Sequence, residues 1–364
     1  MSDLLYSDTE EALRDSVRHL FADRCPPEAV ARAYDPEPPD FSGVWRTLAA
    51  ELGVAGLLVP ESLGGAGASA REVAVIMEEI GRAVAPVPVL SSAVLATVAL
   101  LRAGDTETVS ALAQGELTAA LVVPVSTVPG DPIGAVTGGA DGLSGAVTTV
   151  AGAAEADVLV VPVAGPFGLE LHTVARTAAG VKVSPLLALD MTRPLANVSF
   201  SATDSSRVGP GDGPVAEALR TGAALLASEQ LGVAQWCFET TLAYVKQRKQ
   251  FGRAIGSYQA IKHRLADLWF EVSAATAAAR HAADTCARND EDAPVAAALA
   301  QAYCSGVAVH AAEECVQLHG GIGMTWEYPA HLYLKRAKSD QLIFGTAYRH
   351  RARLAELVDL PSTG

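Results

Sequence analysis

The sequence predicts a mainly α-helical protein with a central β domain, arranged in the order helices, sheet, helices. Apolar residues recur at spacings of three and four over residues 1–115 and again over 215–364, which is the period of amphipathic helices. Residues 116–214 instead carry short β-branched runs separated by Gly, Pro and Asp, a pattern typical of strands joined by turns. We therefore expect an N-terminal helical domain over 1–115, a β domain over 116–214 and a C-terminal helical bundle over 215–364.

The N-terminal region is predicted to be helical because its apolar residues fall on one side of a helix. Val73, Met77 and Ile80 show this spacing, and a glycine-rich break precedes them at residues 60–67. The most apolar stretch, residues 87–101, is interrupted by proline and serine and is too short to cross the ~30 Å core of a bilayer comfortably. We expect a buried helix there and no membrane span.

The central region is predicted to form a small antiparallel sheet, closed as a barrel or stacked as a sandwich. Its β-branched runs are short and bounded by turn residues, as strands of such a sheet are. The predicted strands are Ala120–Val125, Val158–Val163, Val181–Val183 and Ala196–Phe200.

The C-terminal region is predicted to form a bundle of four long helices or more, packed through their apolar faces. Its Ala-rich helical patterns are long and are separated by short breaks. The predicted helices are 215–247, 257–287, 293–319, 330–337 and 348–358.

The composition argues against a nucleic-acid partner. The 364 residues contain 27 Lys and Arg against 41 Asp and Glu, a formal net charge of −14, whereas nucleic-acid binding needs clustered positive charge. Hydrophobic residues make up 50% of the chain and charged residues 19%. This apolar surplus suggests that part of the surface faces other subunits.

The cysteines and the N-terminal residues indicate the cellular compartment of the protein. The acidic start of the chain, residues 1–15, resembles neither a secretory signal nor a transit peptide. An odd number of cysteines with no C-x-x-C pair fits a reducing compartment and provides no zinc or disulfide framework. We expect a cytoplasmic protein without a metal site. The cysteines are Cys25, Cys237, Cys286, Cys304 and Cys315.

The first segment that indicates chemistry covers residues 244–267. A basic helix end containing Lys246, Arg248, Lys249 and Arg253 turns at two glycines and enters another helix. In an acidic chain this segment predicts an anion clamp, because a guanidinium can hold a phosphate by two parallel hydrogen bonds. The alternative is a solvated basic helix end that complements the helix dipole.

The second segment covers residues 317–329, where a helix stops at Gly320 and Gly321. Glycines let the backbone approach another group closely, so a cofactor could reach exposed amides here. The segment follows a helix and not a strand, so it does not fit the dinucleotide fingerprint of a Rossmann unit. A helix C-cap is the alternative interpretation.

Together these segments resemble the two C-terminal signatures of the acyl-CoA dehydrogenase flavoprotein family. Residues 248–252 read Arg-Lys-Gln-Phe-Gly, residues 259–261 read Gln-Ala-Ile, and residues 317–323 follow at the family's spacing. Residues 60–67 are similar to the family's N-terminal loop. The resemblance covers essentially the whole chain and implies the family's helix, sheet, helix architecture.

The resemblance implies an FAD that lies at a subunit boundary and is held by two chains. In the family, one chain supplies the sheet domain against the flavin ring and the acyl-CoA pocket. The neighbour's C-terminal helices reach the pyrophosphate and adenine. By this resemblance Arg248 would meet the pyrophosphate, Gln250 and Phe251 the adenine half, and Gln317, Gly320 and Gly321 the adenosine and phosphate end.

The sequence departs from the family where the flavin ring and the substrate would lie. The family's flavin-facing segments, of the Thr-Glu-Pro-x-Ala-Gly-Ser-Asp and Trp-Ile-Thr types, are replaced at residues 122–131 and 144–153. The chemistry needs a carboxylate base that reaches the α-proton of the thioester. Phe344 occupies the usual position of that base, and Gly222 occupies the alternative position.

These losses fall on one side of the cofactor, which suggests a non-catalytic subunit. We expect an α2β2 heterotetramer of the type known for bacterial steroid side-chain degradation. A homologous catalytic subunit would supply the flavin-ring contacts, the Glu base and most of the acyl-CoA pocket. We expect neither a nucleic-acid partner nor a membrane partner.

Two alternatives remain open at this point. One is a self-sufficient homo-oligomeric dehydrogenase in which another carboxylate is the base, and the other is a non-redox lyase for CoA thioesters on the same scaffold. His263 and His319 are further acid–base candidates, since the pKa of histidine lies near neutrality. The candidate carboxylates are Glu229, Glu239, Glu327 and Asp340.

Overall fold

The computed structural model describes residues 4–360 and confirms the predicted fold class. Residues 1–3 and 361–364, which belong to the predicted terminal domains, lie outside the described residues. Structure changes from helix to strand between Ala113 and Ala119 and from strand to helix between Pro210 and Asp212. The domain boundaries at 115/116 and 214/215 stay predictions.

The N-terminal part is built from short helices around one longer helix. Helix α4 begins at a capping box, in which Ser69 caps the backbone and Glu72 accepts a hydrogen bond from the Ser69 N–H, so two otherwise unpaired donors are satisfied. The helices are α1 (Asp8–Arg24), α2 (Pro27–Ala31), α3 (Ser42–Arg46), α4 (Ala70–Ala83), α5 (Thr97–Ala103) and α6 (Thr106–Ala113).

Residues 87–101, which were predicted to form a buried helix, are helical from Val89 onward. A π-helical segment, Val89–Ala96, runs directly into α5, and all eight of its residues are buried. A different helix passes the length and composition test for a membrane span: Ala293–Met324 is long and apolar enough, but 72% of its most apolar window is buried inside the protein. Such burial is typical of the core helix of a bundle.

The central sheet has eight strands in the order β6-β7-β3-β2-β4-β5-β8, with β1 paired to β4. The prediction of a purely antiparallel sheet was wrong, because β1 and β2 both pair with β4 in parallel. All four predicted strands are present. The strands are β1 (Ala119–Leu121), β2 (Val136–Gly139), β3 (Gly142–Ala151), β4 (Val158–Gly165), β5 (Gly168–Ala175), β6 (Val181–Pro185), β7 (Leu195–Thr203) and β8 (Ser206–Pro210).

The C-terminal bundle follows the prediction to within a few residues. The first residues of α7 and α9 line a common cavity, and Tyr244 and His319 stack near their last residues. The two helices therefore run side by side in the same direction, and both end at one end of the bundle. The helices are α7 (Asp212–Gln247), α8 (Gln259–Ala287), α9 (Ala293–His319), α10 (Ala330–Asp340) and α11 (Ala347–Leu357).

Helices α4 and α7 touch backbone to backbone, which joins the N-terminal part to the bundle. A Cβ at Gly81 would lie 2.0 Å from the Glu229 carbonyl oxygen, and one at Gly232 would lie 1.9 Å from that of Glu78. Only glycine permits this approach at both positions.

A buried ion cluster ties the segment before β7 to α7 and α10. Arg193 Nη2 lies 2.5 Å from Glu229 Oε1 and 3.4 Å from Asp340 Oδ1. Arg336 Nε lies 3.4 Å from Asp190 Oδ2, and its Nη1 lies 3.5 Å from Glu229 Oε1. Three carboxylates face two guanidinium groups. Burial and the neighbouring Glu229 carboxylate raise the pKa of Asp340 well above its ordinary value.

The raised pKa of Asp340 predicts a pH-dependent stability. A carboxyl group whose pKa is higher in the folded state stabilises the fold fully below its unfolded pKa of ~3.9, and this contribution is lost as pH rises. Asp340→Asn should therefore gain stability relative to wild type as pH increases from ~4 to ~7. Denaturant unfolding at several pH values measures the difference.

Asp23→Asn is the matched control, because Asp23 is an exposed carboxylate on α1 paired only with its neighbour Arg24. Its stability difference from wild type should change much less with pH. A difference for Asp340→Asn that stays constant or shrinks with rising pH would contradict the assignment of the extra charge to this cluster.

Candidate cofactor half-site and closed substrate side

The basic segment after α7 folds into a tight hairpin. Strands β9 (Lys249–Gln250) and β10 (Arg253–Ala254) pair antiparallel. Phe251 and Gly252 form the turn with φ angles of 50° and 80°, as a two-residue hairpin of type I′ requires. A non-glycine residue at positive φ is strained, and such strain clusters at ligand sites. Phe251 is 91% exposed, so nothing in its own chain covers it.

Arg248 connects α7 to this hairpin and is held there by its backbone. Its N–H donates to the Tyr244 carbonyl oxygen at 2.9 Å, and its own carbonyl oxygen accepts from the Ile255 N–H at 2.8 Å. The backbone position of Arg248 is thus fixed while its side chain is exposed.

The cations of the basic segment are not neutralised within their own chain. Among the described residues, no carboxylate forms an ion pair with Lys246, Arg248, Lys249 or Arg253. The Arg253 guanidinium stacks 3.8 Å from the Tyr258 ring centroid. An acidic chain that leaves these four charges exposed together presents a local anion site.

The glycine segment lies at the same end of the bundle. Helix α9 ends at His319, and Gly320 follows with φ of 64°. A Cβ at Gly320 or Gly321 would meet no atom within 4 Å, so a ligand can approach this backbone. The Tyr244 hydroxyl donates to the His319 carbonyl oxygen at 3.4 Å.

The structure therefore brings the predicted cofactor residues together. All are exposed at one end of the bundle, with open glycine backbone beside unpaired guanidinium groups. This arrangement fits the pyrophosphate and adenine part of FAD; the individual roles stay predictions. The residues are Arg248, Gln250, Phe251, Gln317, Gly320 and Gly321.

A cluster of Cys237, Cys315 and His319 lies directly before the glycine segment in the interior of the bundle. The His319 ring lies between those of Tyr244 and Tyr328, with centroids 4.2 and 4.4 Å away. A hydrogen bond from Cys237 and the contact with His319 lower the pKa of the Cys315 thiol. Burial acts to lower the pKa of His319, but its hydrogen bonds with Cys315 outweigh that effect and raise it.

His319 is therefore a buried support of the glycine segment and not an exposed acid–base group. His263, the other histidine considered, lies on the exposed part of α8 within 3.5 Å of Gln259. Sequence reasoning missed the cysteines of this cluster, because Cys237 and Cys315 are far apart in the chain. Their positions near the ends of two parallel helices were the available signal.

Phe344 and Gly222, the two positions at which the resemblance predicts a base, pack against each other. Phe344 is 1% exposed. A Cβ at Gly222 would lie 2.7 Å from Phe344 Cζ and 2.7 Å from Leu95 Cδ2. The Phe344 ring thus fills the space above Gly222, and neither position supplies a carboxylate. We call this contact the Phe344 plug.

The sheet segment that would face a flavin ring closes over the same turn. The Phe344 N–H donates to the Val125 carbonyl oxygen at 2.8 Å. Asp131 pairs with Arg349 at 2.6 Å. A Cβ at Gly345 would lie 2.3 Å from Val128 Cγ2. These contacts leave the residues of this side a poor fit for a flavin ring.

The cavity beside the Phe344 plug is small. It measures about 120 Å³ and is lined by residues such as Arg220, Ala223, His350 and Arg353. Ligand pockets for molecules of drug size usually measure ~300–1,000 Å³. The cavity is therefore too small for an acyl-CoA.

The other carboxylates considered as bases are mostly held by arginines. Glu229 and Asp340 belong to the buried ion cluster. Glu239 pairs with Arg82 at 2.6 Å. Glu327 is exposed beyond the glycine segment, outside the cavity beside the plug.

The order of helices, sheet and helical bundle, with the motifs at residues 248–252 and 317–323, is that of a flavoprotein dehydrogenase. The chain belongs to the acyl-CoA dehydrogenase family. Residues 7–113 match the sequence model "Acyl-CoA dehydrogenase, N-terminal domain", and residues 211–358 match "Acyl-CoA dehydrogenase, C-terminal domain". The predicted cofactor, FAD, is the cofactor of this family.

Similar proteins and solved structures support the family assignment along the whole chain. Acyl-CoA dehydrogenase IpdE2 of Mycobacterium tuberculosis is 37% identical over 330 residues, 90% of each chain. A chain of the ChsE4-ChsE5 complex from Mycobacterium tuberculosis is 27% identical with a TM-score of 0.88, and the match covers 100% of both chains. A chain of the Tcur3481-Tcur3483 steroid ACAD is 28% identical with a TM-score of 0.85, covering 97% of this chain and 98% of that chain.

The Phe344 plug predicts a strong coupling between two substitutions. Gly222→Ala should destabilise the protein, because its methyl group meets Phe344 and Leu95. Phe344→Ala alone should cost about 3–5 kcal/mol through the cavity it leaves. In the double variant the contact with the ring is gone while that with Leu95 remains, so the clash is relieved in part and the two effects should differ from their sum by about 0.5–3 kcal/mol. Denaturant unfolding of the four proteins measures this.

Gly306→Ala is the matched control, since a Cβ at this glycine of α9 would meet nothing within 4 Å. Its effect should add to that of Phe344→Ala without coupling. Additivity of Gly222→Ala with Phe344→Ala would show that the ring does not occupy the space above Gly222.

Proposed function

We propose that this chain is the non-catalytic subunit of a heteromeric, FAD-dependent acyl-CoA dehydrogenase. It contributes contacts to the pyrophosphate and adenine of an FAD whose flavin ring lies in a homologous catalytic partner. The single observation behind this is the contrast between an exposed, unneutralised half-site and the closed Phe344 plug in the same chain.

The half-site and the Phe344 plug determine which contacts we assign to this chain and which to the partner. Arg248 and its neighbouring cations would bind the FAD phosphates, and the open backbone at Gly320 and Gly321 would lie along the adenosine. A bound FAD would supply the acceptor for the hydride that leaves the β-carbon of the acyl thioester. The partner would supply the Glu base, the flavin-ring contacts and the acyl-CoA pocket, because the plug leaves no room for them here.

The surface around the half-site is suited to a protein partner. Phe251, Met324 and Trp326 are 91%, 81% and 65% exposed, so large apolar side chains are exposed at the hairpin turn and in and just after the glycine segment. Exposed apolar groups grouped in this way mark interaction surfaces. Two of the similar solved structures are complexes of two different named chains, which supports an α2β2 assembly.

The substrate class and location are inferred from the relatives and the composition. A bulky acyl-CoA, such as a steroid side-chain thioester, is supported by the similarity to a steroid acyl-CoA dehydrogenase. Two sites among four chains would leave each acyl group more space. We infer a cytoplasmic enzyme. The self-sufficient alternative is weakened because Glu229, Glu239 and Asp340 are ion-paired with arginines.

The first prediction concerns flavin stoichiometry. Co-expressed with its catalytic partner, the chain should purify in a yellow complex with two FAD per four chains, whereas alone it should hold almost none. Flavin absorbance of the denatured complex and its mass from light scattering measure both. Four FAD per four chains, or acyl-CoA oxidation by this chain alone, would overturn the proposal.

The second prediction concerns Arg248, the proposed ligand of the FAD phosphates. Arg248→Ala should weaken FAD retention in the complex by about 1.5–3 kcal/mol, because one charged hydrogen-bonding partner is removed. Subunit association should be largely unchanged. Flavin release during dilution measures retention, and gel filtration measures association.

Arg24→Ala serves as the matched control, because Arg24 is an exposed arginine on α1 whose ion-pair partner within residues 4–360 is Asp23. It should leave flavin retention unchanged. Equal retention by Arg248→Ala and wild type would remove Arg248 from the cofactor site.

A further inference from the structure

A serine, a histidine and a glutamate form a chain of contacts at the edge of the central sheet. They lie on strand β5 and directly before β8, the last strand in the sheet order. Ser205 Oγ lies 2.9 Å from His172 Nδ1. On the other side of the ring, His172 Nε2 lies 3.5 Å from Glu170 Oε2. We call these three residues the Ser205 site. None of them belongs to the half-site or lines the cavity beside the Phe344 plug.

The pairing of β5 with β8 brings the three side chains together. Glu170 and His172 are two residues apart on β5, so both point to the same face of the sheet. His172 pairs with Arg207 of β8, which is two residues after Ser205. The register of the two strands shifts between Leu171 and His172, and such irregularities redirect side chains at a sheet edge.

The Glu170 carboxylate is held in place by Arg207. Arg207 Nε lies 3.1 Å from Glu170 Oε1. The hydrogen bond with Arg207 and the contact with His172 lower the pKa of Glu170, so this carboxyl group is ionised at neutral pH. An ionised carboxylate beside Nε2 favours the imidazole tautomer that carries its proton on that nitrogen. Nδ1 is then free to accept the hydroxyl proton of Ser205.

These contacts are those of an activated serine. A neutral imidazole within hydrogen-bond reach can take the hydroxyl proton as the oxygen attacks, and a third group orients the ring. The His172 side chain is 12% exposed, so it is mostly screened from solvent. Ser205 itself is partly exposed, so a substrate can reach its oxygen.

The surroundings of Ser205 also contain groups that stabilise negative charge. Within residues 4–360, neither the Asp204 N–H nor the Ser205 N–H donates to another group. The Arg207 side chain is 57% exposed, and it meets β5 on the same face as Ser205 does. Unpaired amides and a neighbouring cation are the groups that stabilise the oxyanion of an acyl transfer.

The exposed position of the Ser205 site restricts the acyl donor. Asp204, Ser206 and Arg207 are exposed, so the reacting carbonyl group would lie at the protein surface. Electrostatic stabilisation is weaker there than in a site from which water is excluded. The acyl donor must therefore be reactive by itself. A thioester meets this condition, whereas amides and simple esters are much less reactive.

We propose that Ser205 is a nucleophile that takes an acyl group from an acyl thioester. Ser205 Oγ attacks the carbonyl carbon of the thioester while His172 Nδ1 takes the hydroxyl proton. The bond between this carbon and the sulfur then breaks, and the sulfur leaves as a thiol with the proton from His172. The products are an O-acyl serine and a free thiol. The proposal does not rest on the proposed function, because the Ser205 site is separate from the half-site.

The test uses the purified full-length chain and octanoyl-CoA as the acyl donor. Intact mass measurement should show one octanoyl group per chain, and peptide mapping should place it on Ser205. A thiol reagent should detect an equal amount of free CoA. Ser205→Ala should abolish this label. Ser206→Ala is the matched control, since Ser206 is the next residue and is exposed; it should be labelled at the wild-type rate.

Two further positions test the roles of the base and of the group that orients it. His172→Gln should slow acylation by about 100-fold or more, because the general base is lost. Glu170→Gln keeps the shape of the side chain and removes its charge, whereas Glu170→Asp keeps the charge and shortens the side chain. If the charge orients His172, acylation should be faster in Glu170→Asp than in Glu170→Gln. A role in packing alone would give the opposite order.

The result that overturns the proposal is equally specific. Absence of acylation, or octanoyl groups found on lysines and not on Ser205, would show that Ser205 is not a nucleophile. A wild-type rate in His172→Gln would do the same for the assignment of His172 as the base. Circular dichroism identifies any variant that fails to fold. If Ser205→Ala does not fold, peptide mapping of the wild-type chain and the rate of His172→Gln decide.

Discussion

The packing of the Phe344 ring on Gly222 is the contact on which the closed side of this molecule depends. It joins three parts of the chain, because the Phe344 N–H is bonded to Val125 after β1 and its carbonyl oxygen lies 2.9 Å from His350 Nε2 on α11. Glycine at 222 is required for the ring to fit. A single aromatic side chain therefore fills the space above Gly222, at the two positions where the family resemblance predicts a carboxylate.

The opposite end of the bundle is open where the Phe344 end is filled. There the cations are exposed, the glycine backbone is open, and the strained turn at Phe251 and Gly252 is uncovered. In a chain of net charge −14, such a concentration of exposed positive charge attracts an anion. The two ends of the bundle therefore differ: side chains fill one, and the other is open to solvent.

Sequence reasoning succeeded where the signal is local. Helix α9 was predicted at its observed bounds because its Ala-rich pattern lies between Pro294 and Gly320. Strands β3 and β5 were missed because Ser, Thr, His and Glu alternate with their apolar residues. The motifs pointed to two segments that the structure places at one end of the bundle, and their roles toward a cofactor stay predictions. The contact between Phe344 and Gly222 and the ion cluster of Arg193 and Arg336 join distant residues, so no local pattern reveals them.

The departures from the family pattern lie in several layers of structure. The base positions hold Phe344 and Gly222, the sheet segment at Val125 and Val128 presses on the same turn, and Glu229 and Asp340 are locked to arginines in the buried ion cluster. The Phe344 ring is buried and packed, as a stable core requires. In the ion cluster, Glu229 and Asp340 meet Arg193 through one carboxylate oxygen each, and the other oxygen of each is buried without a hydrogen-bond partner among the described residues. A carboxylate placed at residue 344 would enter the space that the ring now fills against Gly222 and Leu95, at the cost of burying a charge. The closed side is therefore maintained by packing, whereas the opposite end of the bundle keeps its cations exposed.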